Sequence, residues 1–324
     1  MAPRPAHRRG LTRPAFLTGV LALTLALVGS GLWVFTRPGA GEPDRSDGSE
    51  PRPEGQDHAQ VRVMLAGDSM THGADGDRTW RFHLWNHLDP HVEGLDFVGP
   101  YSAPAAQDEI IPPELFGGDQ DGDELEDGPG GGSADGTQPE EDLDVPDDVT
   151  YRDPDFDQDH NARWGRTLAD AAGTIEDDVA AHRPDVLCVM IGINDLLHPI
   201  TAEEMEQRLR AYVNGARDAN PQIRILLAEA LPIALAEQDE GFALRVYVYN
   251  ELVRSVAADL TTGRSPVVSF DLAEAEGWDV AADTYDGTHP NDGGEMKIAA
   301  GFADALSREF GLGPGYPRPL PIRR

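Results

Sequence analysis

The sequence predicts a three-layer α/β/α sandwich. Short apolar runs alternate with helix-length amphipathic segments, and polar clusters follow the apolar runs. Runs rich in Val, Ile and Leu at 61–66, 95–98, 186–191, 223–228 and 267–270 read as five strands. Segments 79–88, 167–182, 202–219, 242–261 and 292–310 carry apolar residues every three or four positions and read as helices. In 202–219, for example, Met205, Leu209 and Val213 share one face, while Glu203, Glu206 and Arg210 lie elsewhere. Such alternation implies a parallel sheet covered on both faces by right-handed crossovers. Ligands of these folds sit at the carboxyl ends of the strands.

The domain count follows from composition. The chain has 324 residues, with 26 Lys and Arg against 58 Asp and Glu, a formal net charge of −32. Phosphate binding needs a basic surface, so a dominant nucleic-acid role is excluded. Residues 117–149 hold 13 acidic side chains and no basic one. Too few apolar groups are present there to offset the entropy of ordering, and a disordered insert is expected. Asp119, Asp121 and Asp123 suggest calcium, but Gly122 and Gly130 fall out of register with an EF-hand loop; a solvated, self-repelling loop is the favoured reading. Without the insert and the amino-terminal segments, one medium domain remains at 61–312, followed by a Pro/Arg-rich tail at 313–324.

The amino terminus divides into a basic tail (1–14), an apolar segment (15–36) and a stalk (37–60) rich in Pro, Gly, Asp and Glu. Arg4, Arg8, Arg9 and Arg13 precede the apolar stretch, which as a helix would span roughly 30 Å. Positive charge on that side predicts a membrane anchor with the bulk of the chain outside the cell. A cleaved signal peptide ending near Val28-Gly29-Ser30 is the alternative and would give a secreted protein. Arg8-Arg9 fits a twin-arginine export signal only loosely. The single cysteine, Cys188, lies in an apolar run, so no intrachain disulfide forms and a buried small hydrophobe is expected.

Chemistry-bearing residues cluster after the apolar runs. Gly67-Asp68-Ser69 follows the first, a place where a nucleophile would meet a helix amino terminus; helix capping by Asp68 and Ser69 is the competing reading. Gly192-Ile193-Asn194-Asp195 follows the third and brings an uncharged amide donor to the same edge. Asp286 and His289 precede the last helix, three positions apart, so that one turn lets the carboxylate orient the imidazole; a surface pair is the alternative. Between them, the segment from Asp159 to Arg166 contains Gly165, whose N–H can approach an anion closely. His83 and His87 have helical metal-ligand spacing without a third ligand, so a polar helix face is expected. Trp80 and Trp164 would either line a pocket or pack in the core.

Together these four blocks, in this order from Gly67 to Asn291, resemble the SGNH hydrolases, the GDSL-type serine esterases. The resemblance implies a five-stranded parallel sheet of flavodoxin-like order and an acyl-enzyme mechanism without a cofactor or metal. It implies Ser69 as nucleophile, His289 as base and Asp286 as its orienting partner. The implied oxyanion hole comprises the Ser69 and Gly165 N–H groups and the Asn194 amide, with Asn161 as a rival donor. The long insert between the first two blocks and the loose fingerprint around Gly165 depart from the family pattern. The expected partner is a lipid, aryl or acetylated-carbohydrate ester, a small molecule or polysaccharide, acted on by a monomer held at a membrane through 15–36. A glycan-binding module without turnover and an acyltransferase are the alternatives on the same fold.

Overall fold

A computed structural model of the chain describes residues 60–106, 109–110 and 149–322. The tail 1–14, the segment 15–36, the stalk to residue 59 and the insert to residue 148, with its three calcium-candidate aspartates, lie outside the described residues. No helix among the described residues is long and apolar enough to cross a membrane.

The five expected strands form one parallel sheet. They are β1 (Val61–Gly67), β2 (Leu95–Phe97), β4 (Val186–Met190), β5 (Arg224–Ala228) and β6 (Val267–Phe270), in the order β2-β1-β4-β5-β6. Interior strands are apolar on both faces: every residue of β4 is buried, as helices cover both sides. A short strand that the sequence reading does not contain, β3 (Asn161–Ala162), pairs with β1 at Ala66 and Gly67. It continues the edge that β2 leaves beyond Val63. Two residues carry no apolar run, and this strand is set by its neighbours: a Cβ at Gly99 would lie 2.1 Å from the His160 carbonyl oxygen.

The long helices are α2 (Trp80–Leu88), α3 (Leu168–His182), α5 (Ala202–Ala219), α7 (Glu240–Leu260) and α10 (Asp292–Phe310). Short helices α1 (Ser69–His72), α4 (Ile193–Leu196), α6 (Leu235–Gln238), α8 (Leu272–Glu276) and α9 (Val280–Asp283) complete the order. Helices α3, α5 and α7 pack in a row, while α2 packs on α10. Capping boxes, Thr167 with Asp170 and Thr201 with Glu204, fix where α3 and α5 begin. The expected face of α5 is buried through Met205, Leu209 and Val213, joined by Tyr212 and Ala216. Trp80 belongs to the core, stacked on Phe302 with ring centroids 4.6 Å apart. Cys188 is fully buried, and burial pushes its thiol pKa up.

Residues 313–322, set apart as a tail in the sequence, pack on this domain. The Pro314 carbonyl meets His87 Nε2 at 2.9 Å, the Tyr316 N–H donates to Asp304 at 2.6 Å, and Arg318 pairs with both Glu276 and Asp304. His87 is therefore engaged by the tail, and among the described residues no group of three or more His, Cys, Asp or Glu is placed to hold a metal ion. The two ends of the insert-bearing segment meet one site: Asp75 N–H donates to the Ala105 carbonyl, and Gly76 N–H to the Thr150 carbonyl.

Candidate active site

β1 delivers the first block. Gly67 is required by close packing, since a Cβ there would lie 2.4 Å from both the Met190 carbonyl oxygen and the Thr71 hydroxyl. Asp68 then caps α1, accepting from the Met70 N–H at 3.1 Å, so the capping reading holds for Asp68 while Ser69 is the first helical residue. Burial pushes the Asp68 carboxyl up to about 7, although the Met70 N–H and the nearby His289 act to lower it. The folded protein thus holds a proton that the unfolded chain releases near pH 4, and stability falls as pH rises from about 4 to about 7. Asp68→Asn keeps a capping oxygen and removes this penalty. The variant is expected to be more stable than wild type at pH 8, by up to about 4 kcal/mol, and equal to it below pH 4 in thermal unfolding.

The last block occupies the loop between α9 and α10. Asp286 Oδ1 accepts from the Thr288 and His289 N–H groups at 2.9 and 2.7 Å, and Oδ2 faces His289 Nδ1 at 2.6 Å. Burial would raise the Asp286 carboxyl, but these hydrogen bonds outweigh it and bring the pKa down to about 2. The carboxylate fixes the proton of His289 on Nδ1, leaving Nε2 to accept. Nε2 lies 3.0 Å from Ser69 Oγ, although the two residues are 220 positions apart. Two further rings lie nearly parallel to the imidazole: Trp164, with centroids 4.4 Å apart, and Tyr285, at 5.8 Å. Trp164 is thereby placed at the site rather than in the core.

The second block closes the space between the other two. Arg163 N–H points to the Gly67 carbonyl at 3.4 Å, and Trp164 N–H donates to His72 Nδ1 at 3.1 Å, which ties the turn to α1. On its other side, the Arg166 carbonyl accepts from Asn194 Nδ2 at 3.0 Å. Asn194 follows Gly192, whose φ of +113° and contact with Tyr249 admit only glycine. One Nδ2 hydrogen of Asn194 serves Arg166, and the second remains for a ligand. Gly165 has φ +72°, and among the described residues neither its N–H nor that of Ser69 has an acceptor. Asn161, the rival donor, is fully buried and donates to Asp178 at 3.0 Å and to Met64 Sδ at 3.5 Å. Both of its amide hydrogens are occupied, so it is no oxyanion donor.

Three supporting residues have roles that the sequence does not reveal. Arg81 is completely buried without a carboxylate; it donates to the carbonyls of Thr71, His72 and Gln158 and to the Tyr151 hydroxyl. It therefore satisfies the carboxyl end of α1 and holds it against the segment leading into β3. Burial and the nearby Arg81 charge lower the His72 pKa to about 3, so His72 is neutral and its Nδ1 can accept from Trp164. Asp195 caps α3 through the Leu168 N–H at 2.7 Å and pairs with Arg208. An arginine near a helix start gives no sequence signal of burial.

A parallel sheet whose carboxyl edge gathers a hydroxyl, an imidazole, a carboxylate and unpaired N–H donors defines an acyl-transferring hydrolase. The family comparison agrees: the GDSL-like lipase/acylhydrolase family matches residues 122–296, more than half of the chain. The chain belongs to that family and is an enzyme that hydrolyses esters. The matched stretch contains Gly165, Asn194, Asp286 and His289, while Ser69 precedes it. Similar solved structures include an acetyl esterase mutant with acetate ion (22% identity, covering 77% of this chain and 97% of that one, TM-score 0.55). Others are a carbohydrate esterase family 3 from Talaromyces cellulolyticus (23%, 77% and 97%, 0.55) and a Clostridium thermocellum family 3 carbohydrate esterase (20%, 79% and 100%, 0.54). At these identities the likeness is one of fold. No curated protein matches the sequence.

Proposed function

We propose that the chain is an extracytoplasmic serine hydrolase that cleaves carboxylic esters through an acyl-enzyme. The 3.0 Å approach of His289 Nε2 to Ser69 Oγ carries this reading. As Oγ forms a bond to the ester carbonyl carbon, its proton moves to Nε2, and the carbonyl oxygen becomes an oxyanion facing the Ser69 N–H, the Gly165 N–H and the Asn194 amide. The tetrahedral intermediate collapses, the carbon–alkoxy bond breaks, and Nε2 returns the proton to the departing alcohol. Water then attacks the acyl-enzyme by the same route, giving the free acid and restoring Ser69. The outward location rests on the charge pattern around 15–36.

Labelling tests the chemistry directly. An organophosphonate ester is expected to modify the protein at Ser69, with mass analysis locating the adduct on that residue, and Ser69→Ala is expected to remain unmodified. An unlabelled wild-type protein that also leaves short-chain aryl esters intact would refute the proposal.

A further inference from the structure

We infer that His72 is a positioning residue: by accepting from the Trp164 N–H, its Nδ1 sets the turn that carries both the Gly165 oxyanion donor and the ring lying against His289. The inference rests on the serine-hydrolase reading, because it gives His72 a part in that reaction. The turn runs from Arg163 to Arg166, closed by the Arg166 N–H on the Arg163 carbonyl at 3.2 Å. Gly165 stands third in it at φ +72°, as a type II turn requires. Such a turn differs from a type I turn by a flip of its central peptide, so the direction of the Gly165 N–H depends on how the turn is held.

Behind Gly165, the turn is held through Arg166, whose carbonyl accepts from Asn194 and whose guanidinium reaches Asn161 Oδ1 at 2.6 Å. Ahead of Gly165, the Arg163 N–H stands 3.4 Å from the Gly67 carbonyl, longer than the usual range of such bonds. The 3.1 Å bond from the Trp164 N–H to His72 therefore carries the leading side. Two parts of the reaction depend on it. The Trp164 ring stacks on the His289 imidazole, and the next residue along presents its N–H to the oxyanion.

The surroundings of His72 suit an acceptor. Its Nε2 meets the Ala103 carbonyl at 3.1 Å; a carbonyl can only accept, so the ring proton sits on Nε2 and Nδ1 keeps its lone pair. Burial, with the Arg81 and Arg163 charges nearby, keeps the ring neutral. His160 repeats the arrangement, with Nδ1 accepting from the Ala162 N–H at 3.1 Å and Nε2 facing the same Ala103 carbonyl at 3.2 Å. The attachment of α1 does not need the His72 ring: Arg81 and the Tyr151 hydroxyl both donate to the His72 backbone carbonyl, whatever side chain stands there.

The two ring nitrogens can be replaced one at a time. Asn places an amide oxygen as many bonds from Cβ as Nδ1 is, whereas Gln places its amide one bond further, near Nε2. In the full-length chain acting on 4-nitrophenyl acetate, His72→Asn is expected to keep kcat within about threefold of wild type. The Ala103 carbonyl still accepts from the Tyr151 hydroxyl and His160 in that variant. His72→Gln keeps polarity and bulk but lacks the acceptor, and its kcat is expected to fall about 10- to 100-fold. KM should change by less than about twofold, since formation and hydrolysis of the acyl-enzyme pass through the same oxyanion donors. Phenylboronic acid, whose adduct on Ser69 is tetrahedral, should bind His72→Gln more weakly by a factor similar to the loss in kcat. Both variants are assayed at a temperature where circular dichroism shows them folded. A His72→Gln protein within about threefold of wild type in kcat, or a His72→Asn protein as slow as His72→Gln, overturns the positioning role and leaves the hydrolase reading intact. Should His72→Gln not fold, nitrogen NMR of the wild-type protein decides: His72 Nδ1 is expected unprotonated and coupled to the Trp164 N–H, and a proton on Nδ1 at neutral pH overturns the inference. A wild-type chain that neither hydrolyses the ester nor takes up phosphonate at Ser69 overturns the hydrolase reading, and the role of His72 with it.

Discussion

Ser69→Ala is expected to reduce kcat on any ester substrate by about 10⁵- to 10⁶-fold, the scale of loss when a Ser–His–Asp nucleophile is removed. His289→Ala should cost about as much. The reason is geometric: Oγ and Nε2, 3.0 Å apart, act in one proton transfer, and either alone accomplishes little. The double variant Ser69→Ala/His289→Ala is therefore expected to be no slower than the worse single variant. The activity that remains would come from the N–H donors of Ser69 and Gly165 and from Asn194, which neither substitution removes. A double variant whose loss equals the product of the two single losses would show the residues acting independently, contrary to the mechanism.

The second large effect is expected from Asp286→Asn, a loss in kcat of about 10³- to 10⁴-fold with little change in KM. An amide oxygen can still accept from the Thr288 and His289 N–H groups, so the loop should keep its shape. Its NH2 group, however, would face His289 Nδ1 and force that nitrogen to accept, moving the imidazole proton to Nε2, where it blocks deprotonation of Ser69. Partial exposure of Asp286 allows water some relief of the mismatch, which keeps the expected loss at or below that of a buried triad. Because the wild-type carboxyl is held at about 2, it remains ionised from about pH 3 upward and contributes no step to the acid limb of the wild-type rate profile. An Asp286→Asn protein retaining a tenth or more of wild-type kcat would remove Asp286 from the mechanism.

Much of this arrangement was legible in the chain because its signals are local. The runs that became β1, β4, β5 and β6 are apolar because helices cover both faces of the sheet. Helices α5 and α10 occupy the expected spans, since Thr201 and Asn291 cap them with side chains visible in the sequence. The Asp286 and His289 spacing likewise encodes its own turn. What could not be read depends on distant contacts. β3 is two residues held by a neighbouring strand, Arg81 becomes buried only when the segments around Thr71 and Gln158 meet, and Trp80 and Trp164 part company only through packing against Phe302 and His289. The strap at 313–322 lacks periodicity because it docks by backbone groups, one arginine and the single ring of Tyr316, not by a repeating apolar face.

The convergence of Ala105 and Thr150 on Asp75 and Gly76 has an evolutionary corollary. Two fixed exits at one place let the intervening polypeptide lengthen or shorten at an entropic cost that grows only with the logarithm of its length. Asp75 and Gly76 follow α1, whose first residue is Ser69, so lineages can trial new sequence a few residues from the reacting atoms without reopening the fold.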